Sequence, residues 1–145
     1  MLSDDGVSEE GLTKFLLQVQ EMFLGRDLDA LSTRFVLPFV VYSAAGILLI
    51  KDEESFRDHT SRYLYALHAE NIGKSECAIR DIVLVSDQRF HASVRWMAFA
   101  EDGQLMSSSL IRYFMIEDGS GRWKIEMMEF VELPITLSQA ERVIH

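Results

Sequence analysis

The chain has 145 residues, 48% of them apolar and 26% charged, and a formal net charge of −9. That length and composition describe one globular domain over residues 1–145, with a core of about 8–134 and a tail from 135 to 145, and they exclude a disordered chain. The acidity is spread along the chain and no cluster of Lys and Arg stands against it, so nucleic acid and anionic membrane are excluded as partners.

In chain order, Ser8 followed by Glu9 and Glu10 predicts a helix start. Leu12, Phe15, Leu16, Val19 and Phe23 recur at helical spacing, and Gly25 ends the segment. Asp27 caps a short second helix with Leu28 and Leu31 inward. Pro38 closes the helical region, because the residue before a proline disfavours helix. Residues 39–43 and 47–50 predict a hairpin around Ala44, Ala45 and Gly46. Lys51 and Asp52 open a third helix that runs to about Asn71, with Gly73 just beyond it. From there the chain reads as four strands, 79–85, 89–100, 106–117 and 122–133, with Pro134 as the stop.

The predicted architecture is α+β: a curved antiparallel or mixed sheet wrapped over three N-terminal helices. Long twisted strands curl, and a concave face of this kind can leave a ligand pocket in its mouth.

Turn length fixes register. A two-residue turn at Asp102-Gly103 pairs Ala100 with Leu105, Arg95 with Leu110 and Ser93 with Arg112. A four-residue loop at 118–121 pairs Ile116 with Trp123 and Arg112 with Met127. One face then collects His91, Arg95, Arg112, Phe114, Trp123, Met127 and Glu129, and we expect it to look toward the helices and line the pocket. The opposite face carries Val94, Trp96, Ile111, Tyr113 and Met128. It is too apolar to be left to water, so a homodimer through these residues is expected.

Arg95 and Arg112 with Glu129 form either a structural ion-pair set or an anchor for an anionic ligand. With Trp123, Phe114, Met127 and Tyr63 they make the expected ligand-binding set, for a small apolar or anionic ligand. Tyr42, His59 and His91 are the candidate acids or bases, each with a plain packing or surface alternative. The four histidines and the single cysteine, Cys77, show no metal-ligand spacing, and no phosphate loop or nucleophile elbow occurs, so no metal and no cofactor are expected. Cys77 reads as a half-buried strand residue. The acidic N-terminus has no leader pattern and no run reaches membrane-spanning length, so the expected compartment is the cytoplasm.

Several phrases resemble the nuclear-transport-factor-2-like superfamily, in particular its small polyketide-cyclase-like (SnoaL-like) members of unknown function. They are Gly25-Arg26-Asp27-Leu28-Asp29-Ala30-Leu31, Phe35 through Pro38 to Tyr42, Glu54-Ser55-Phe56, and Gly121-Arg122-Trp123-Lys124-Ile125. The resemblance covers roughly residues 10–134. It implies a conical fold with an apolar pocket between helices and sheet, and dimerisation through the outer sheet face. Isomerase-like members use a tyrosine on the first helix and an aspartate around the first hairpin. Here the first helix has no tyrosine and residues 39–43 include no acid. The expected function is a small-molecule-binding domain with no defined reaction. The alternatives are a cofactor-free isomerase, dehydratase or cyclase using a pocket His or Tyr, and a protein-interaction module using the outer face.

Overall fold

The computed structural model describes residues 7–44, 46–69 and 72–136, and gives the backbone alone for 63–69, 72, 73 and 133–136. These residues form three helices and a curved, open six-stranded mixed sheet.

Helix α1 (Glu9–Leu24) starts where the sequence places it: the Gly11 amide donates to Ser8 Oγ at 3.0 Å. A cap of this kind contributes about 1 kcal/mol. Its stripe of Leu12, Phe15 and Leu16 is buried. The helix ends at Gly25, but the left-handed residue is Arg26, at φ 58°. Gly25 serves by its smallness, since a Cβ there would sit 3.0 Å from the Glu21 carbonyl oxygen. Asp27 then caps α2 (Leu28–Ser32) through the Ala30 amide, and Leu31 is buried. Asp52 does the same for α3 (Glu53–Ala69) through the Ser55 amide at 2.9 Å. Asn71, the expected end of that helix, lies outside the described residues.

The strands are β1 (Phe35–Ser43), β2 (Gly46–Ile50), β3 (Ile72–Leu84), β4 (Arg89–Ala100), β5 (Leu105–Glu117) and β6 (Trp123–Thr136). Their order across the sheet is β2-β1-β6-β5-β4-β3, and the parallel β1–β6 pairing joins the hairpin to the meander. Three boundaries depart from expectation. Pro38 lies inside β1, where the register shifts between Phe35 and Val40, so its missing N–H removes no regular ladder bond. Pro134 lies inside β6 at a similar slip, between the pairs Leu110–Glu132 and Ser108–Ile135. β3 begins at Ile72, seven residues before the sequence reading, because an edge strand needs little apolar alternation.

The register also departs from expectation. The loop after β4 has three residues rather than two: the Ala100 amide donates to the Gln104 carbonyl, and Gly103 has φ 88°. Phe99, not Ala100, therefore stands opposite Leu105. A bulge then restores Arg95–Leu110 and Ser93–Arg112 as expected. The loop after β5 has three residues rather than four, closed by the Asp118 amide on the Arg122 carbonyl. Glu117 rather than Ile116 pairs with Trp123, and after a further irregularity at the β6 residue Glu126, Arg112 stands opposite Glu129 rather than Met127.

The face assignment is inverted. Phe90, Ala92 and Val94 of β4 and Ile111, Tyr113 and Met115 of β5 are buried in one cluster with Leu12, Phe15 and Leu16 of α1. The set expected at an outer dimer surface, namely Val94, Trp96, Ile111, Tyr113 and Met128, is therefore the helix-facing side. The reason is the placement of charge. The even-numbered residues of β4 from Phe90 to Ala100 carry none, whereas the odd-numbered side bears His91 and Arg95, and ions go where water can reach them. The polar tips on the helix side satisfy each other, Trp96 Nε1 donating to the Tyr113 hydroxyl at 2.8 Å. Trp123 and Ile125 also join this side, with Trp123 against Phe15 and Phe90.

Candidate functional site

The face turned away from the helices is built from two adjacent rungs that cross all six strands. One runs Ile47, Tyr42, Glu129, Arg112, Ser93, Asp81. The next runs Leu49, Val40, Met127, Phe114, His91, Val83. Strand pairing thus gathers Tyr42, His91, Arg112, Phe114, Met127 and Glu129 on one surface, although not in a pocket beneath the helices. Arg95 lies on the same face, opposite Leu110. Trp123 is separated from them by the thickness of the sheet. His59 stands on α3, beyond the helix-facing side, and the side chain of Tyr63 lies outside the described residues.

The charges on this surface are compensated within it. Arg112 Nη1 donates to Glu129 Oε1 at 2.7 Å. Arg95 pairs with Glu132, not with Glu129, and also donates to Ser108 Oγ at 3.3 Å. The hydrogen bond with Arg95 holds the Glu132 carboxyl below the usual carboxylate range and holds the Arg95 guanidinium above its own usual value. Arg89 Nε reaches Glu126 at 3.1 Å, Lys74 reaches Glu76 at 2.8 Å, and Asp81 accepts from the Ser93 amide.

Between these pairs the surface is apolar and open to water. Ile47 is 67% exposed, Leu49 48%, Val83 43% and Tyr42 39%. The His91 ring lies against Phe114 at 5.5 Å between centroids, and its Nδ1 is buried without a hydrogen-bond partner. Val40, Leu49 and Val83 complete the rungs, and sequence reasoning missed them as surface-forming residues. Their alternation was visible, but the parallel β1–β6 pairing that brings Val40 beside Met127 leaves no local signal.

On the helix-facing side, packed side chains fill the space along α1. Leu12, Leu16, Phe90, Val94, Met115 and Ile125 are fully buried there. The candidate acids and bases do not converge: Tyr42 and His91 lie three strands apart, roughly 14 Å at the usual strand spacing. His59 is on the other side of the sheet. Among the described residues no group of three or more His, Cys, Asp or Glu is placed to hold a metal ion, and no helix is long and apolar enough to cross a membrane.

A family model described as NTF2-like protein (DUF6841) matches residues 4–132. Solved structures share the fold at low identity. One is a domain of unknown function with a cystatin-like fold from Nostoc punctiforme, with TM-score 0.65 and 14% identity over 99% of this chain and 86% of that one. Aln2 from a Streptomyces species gives 0.64 and 12%, over 99% of both chains. A ketosteroid isomerase-like protein from Erwinia carotovora atroseptica gives 0.60 and 9%, over 91% of this chain and 100% of that one. No curated protein sequence matches the chain.

Proposed function

We propose, from the premise that the chain belongs to the NTF2-like protein family (DUF6841), that it acts as a paired small-molecule-binding domain. Two copies meet through the sheet face turned away from the helices, and a small ligand is taken elsewhere than in the packed space along α1. One observation carries the pairing: this face is apolar, water-exposed, and neutralised by ion pairs within itself. A chain with a net charge of −9 repels its copies over most of its surface. This face can approach a copy without bringing uncompensated carboxylates together. Its extent suffices: four strands of about 40 Å, with β1 and β2 adding about 30 and 17 Å, at about 4.8 Å spacing give on the order of 1,000 Å², against the roughly 800 Å² per partner of a standard interface.

Binding is favoured over acid–base turnover because Tyr42 and His91 sit on the pairing face, remote from His59. The ligand role rests on the fold, which this chain shares with an isomerase-like protein.

Light scattering on the purified chain tests the pairing. The wild type is expected at twice the monomer mass. Phe114→Glu is expected to weaken association by at least about a hundredfold, because two-fold symmetry buries the new carboxylate twice without a partner. A wild type that stays monomeric at tens of micromolar, or a Phe114→Glu chain that remains dimeric, contradicts it.

A further inference from the structure

A separate feature lies at the end of the sheet where the β5–β6 turn meets the link from α2 to β1. Thr33, Arg34, Asp118, Arg122, Trp123 and Lys124 line a cavity of about 150 Å³. A backbone bond from the Ile125 amide to the Arg34 carbonyl, 2.8 Å, ties its two walls together. Three of the chain's 14 basic residues converge here, in a protein that is otherwise acidic. Among the described residues none of the three is in an ion pair within 4.0 Å. Arg34 Nε is in addition buried with no hydrogen-bond partner, while its guanidinium carbon stands 5.9 Å from the centre of the Phe15 ring.

The nearby carboxylate of Asp118 makes no ion pair with them within 4.0 Å; it acts on Lys124 through space, as the least of the effects on its own carboxyl, and takes its hydrogen bonds from the turn. Its Oδ1 accepts from the Ser120 amide at 2.9 Å, the Ser120 hydroxyl at 2.6 Å and the Arg122 amide at 3.2 Å. Those bonds, the Ser120 hydroxyl foremost, hold it ionised below the usual carboxylate range. Asp118 is thus the fastener of the turn that presents Arg122. The second acid of the turn, Glu117, stands opposite Trp123 and reaches toward Gly121, and it is not among the cavity's lining residues. Among the described residues the lining carries three positive charges and one negative.

We propose that this cavity is an anion site that takes the phosphate group of a small ligand. Guanidinium groups present forked N–H donors that match the oxygens of a phosphate, and Lys124 adds a third cation at the same mouth. The volume is below the several hundred Å³ of a pocket for a whole metabolite, so the group held is an ion-sized head with the rest of the ligand outside. Trp123 forms one wall and reports occupancy, because the chain's other tryptophan, Trp96, is bonded to Tyr113 elsewhere on the sheet.

The test is a titration of the full chain with inorganic phosphate at low ionic strength, followed by the two tryptophan indole signals in NMR and by calorimetry. The expected result is saturable binding of one phosphate per chain that shifts the Trp123 signal and leaves Trp96 in place. Arg122→Gln is expected to weaken it about tenfold, the usual worth of one charged hydrogen bond. Arg122→Gln with Lys124→Gln is expected to abolish it while the thermal midpoint stays near that of the wild type. Failure to saturate, an equal response to chloride at matched ionic strength, or a double variant that binds as the wild type does would overturn the proposal. Pairing through the sheet face is read by a different measurement and stands or falls apart from this one.

Discussion

Arg112 and Glu129 face each other across β5 and β6, both more than a third exposed at the side chain, so their bridge is worth little as stability. Its role is to leave the apolar rungs around it without net charge. His91 is the costlier residue there, with a buried nitrogen lacking a partner beside Phe114. His91→Phe removes that unpaired nitrogen and keeps the ring contact, so a thermal midpoint equal to or above that of the wild type is expected. A loss of several degrees would show that the nitrogen has a partner in the working protein. At Cys77, half-buried on β3, burial pushes the thiol up from its usual pKa. The thiolate fraction near neutral pH is then below that of free cysteine. Alkylation by iodoacetamide should be slower than for a free thiol, and should speed up when denaturant opens the sheet. Asp118 and Glu132 are held below the usual carboxylate range, so their stabilisation is present above their unfolded values and is lost as pH falls through the folded ones. The decline of the thermal midpoint below about pH 4 should be shallower in Glu132→Gln than in the wild type, and an identical decline would remove Glu132 from that role.

At the scale of elements, what could be read early was whatever local chemistry decides. Ser8, Asp27 and Asp52 cap helices where their side chains reach an amide three residues on. The strand Arg89–Ala100 was legible to the residue from its composition and flanking turns. Register was not, because it depends on how a loop closes. Asp102-Gly103 looks like a two-residue turn, yet the Gln104 amide donates to Asp102 Oδ1 at 2.9 Å and the loop takes three residues. Each one-residue change sends a side chain to the other face. Trp123 moved from the expected ligand set to the helix-facing core in this way. The tight loops were the weaker guide to which face is buried. Uniform lack of charge along Phe90, Ala92, Val94 and Trp96 was the stronger one, and it was available from the beginning. Met115→Ala, which opens a void on that side, is expected to cost about 2–5 kcal/mol in a denaturant titration. Phe114→Ala, one residue along on the open face, should cost much less in the monomer. Equal costs would deny that the two faces differ in burial.

For the whole molecule, the general plan was legible: helices, hairpin, helix and meander make an α+β layer with helices on one side of a curved sheet. The joining of hairpin to meander through parallel β1 and β6 was not, since nothing local marks a contact between residues nearly ninety positions apart. That pairing extends the open face from four strands to six, and the breadth of the face is what makes pairing of two acidic chains physically reasonable. The most direct check places a spin label at the rim of this face, at Val83→Cys in a Cys77→Ala chain, and measures the distance between labels by pulsed electron resonance. A matching label on the helix side, at Lys14→Cys, serves as the comparison. Pairing through this face predicts a single defined distance between chains at Val83→Cys, shorter than at Lys14→Cys and lost when Phe114→Glu is added. A shorter distance from the helix-side label, or no interchain coupling from either, would contradict it.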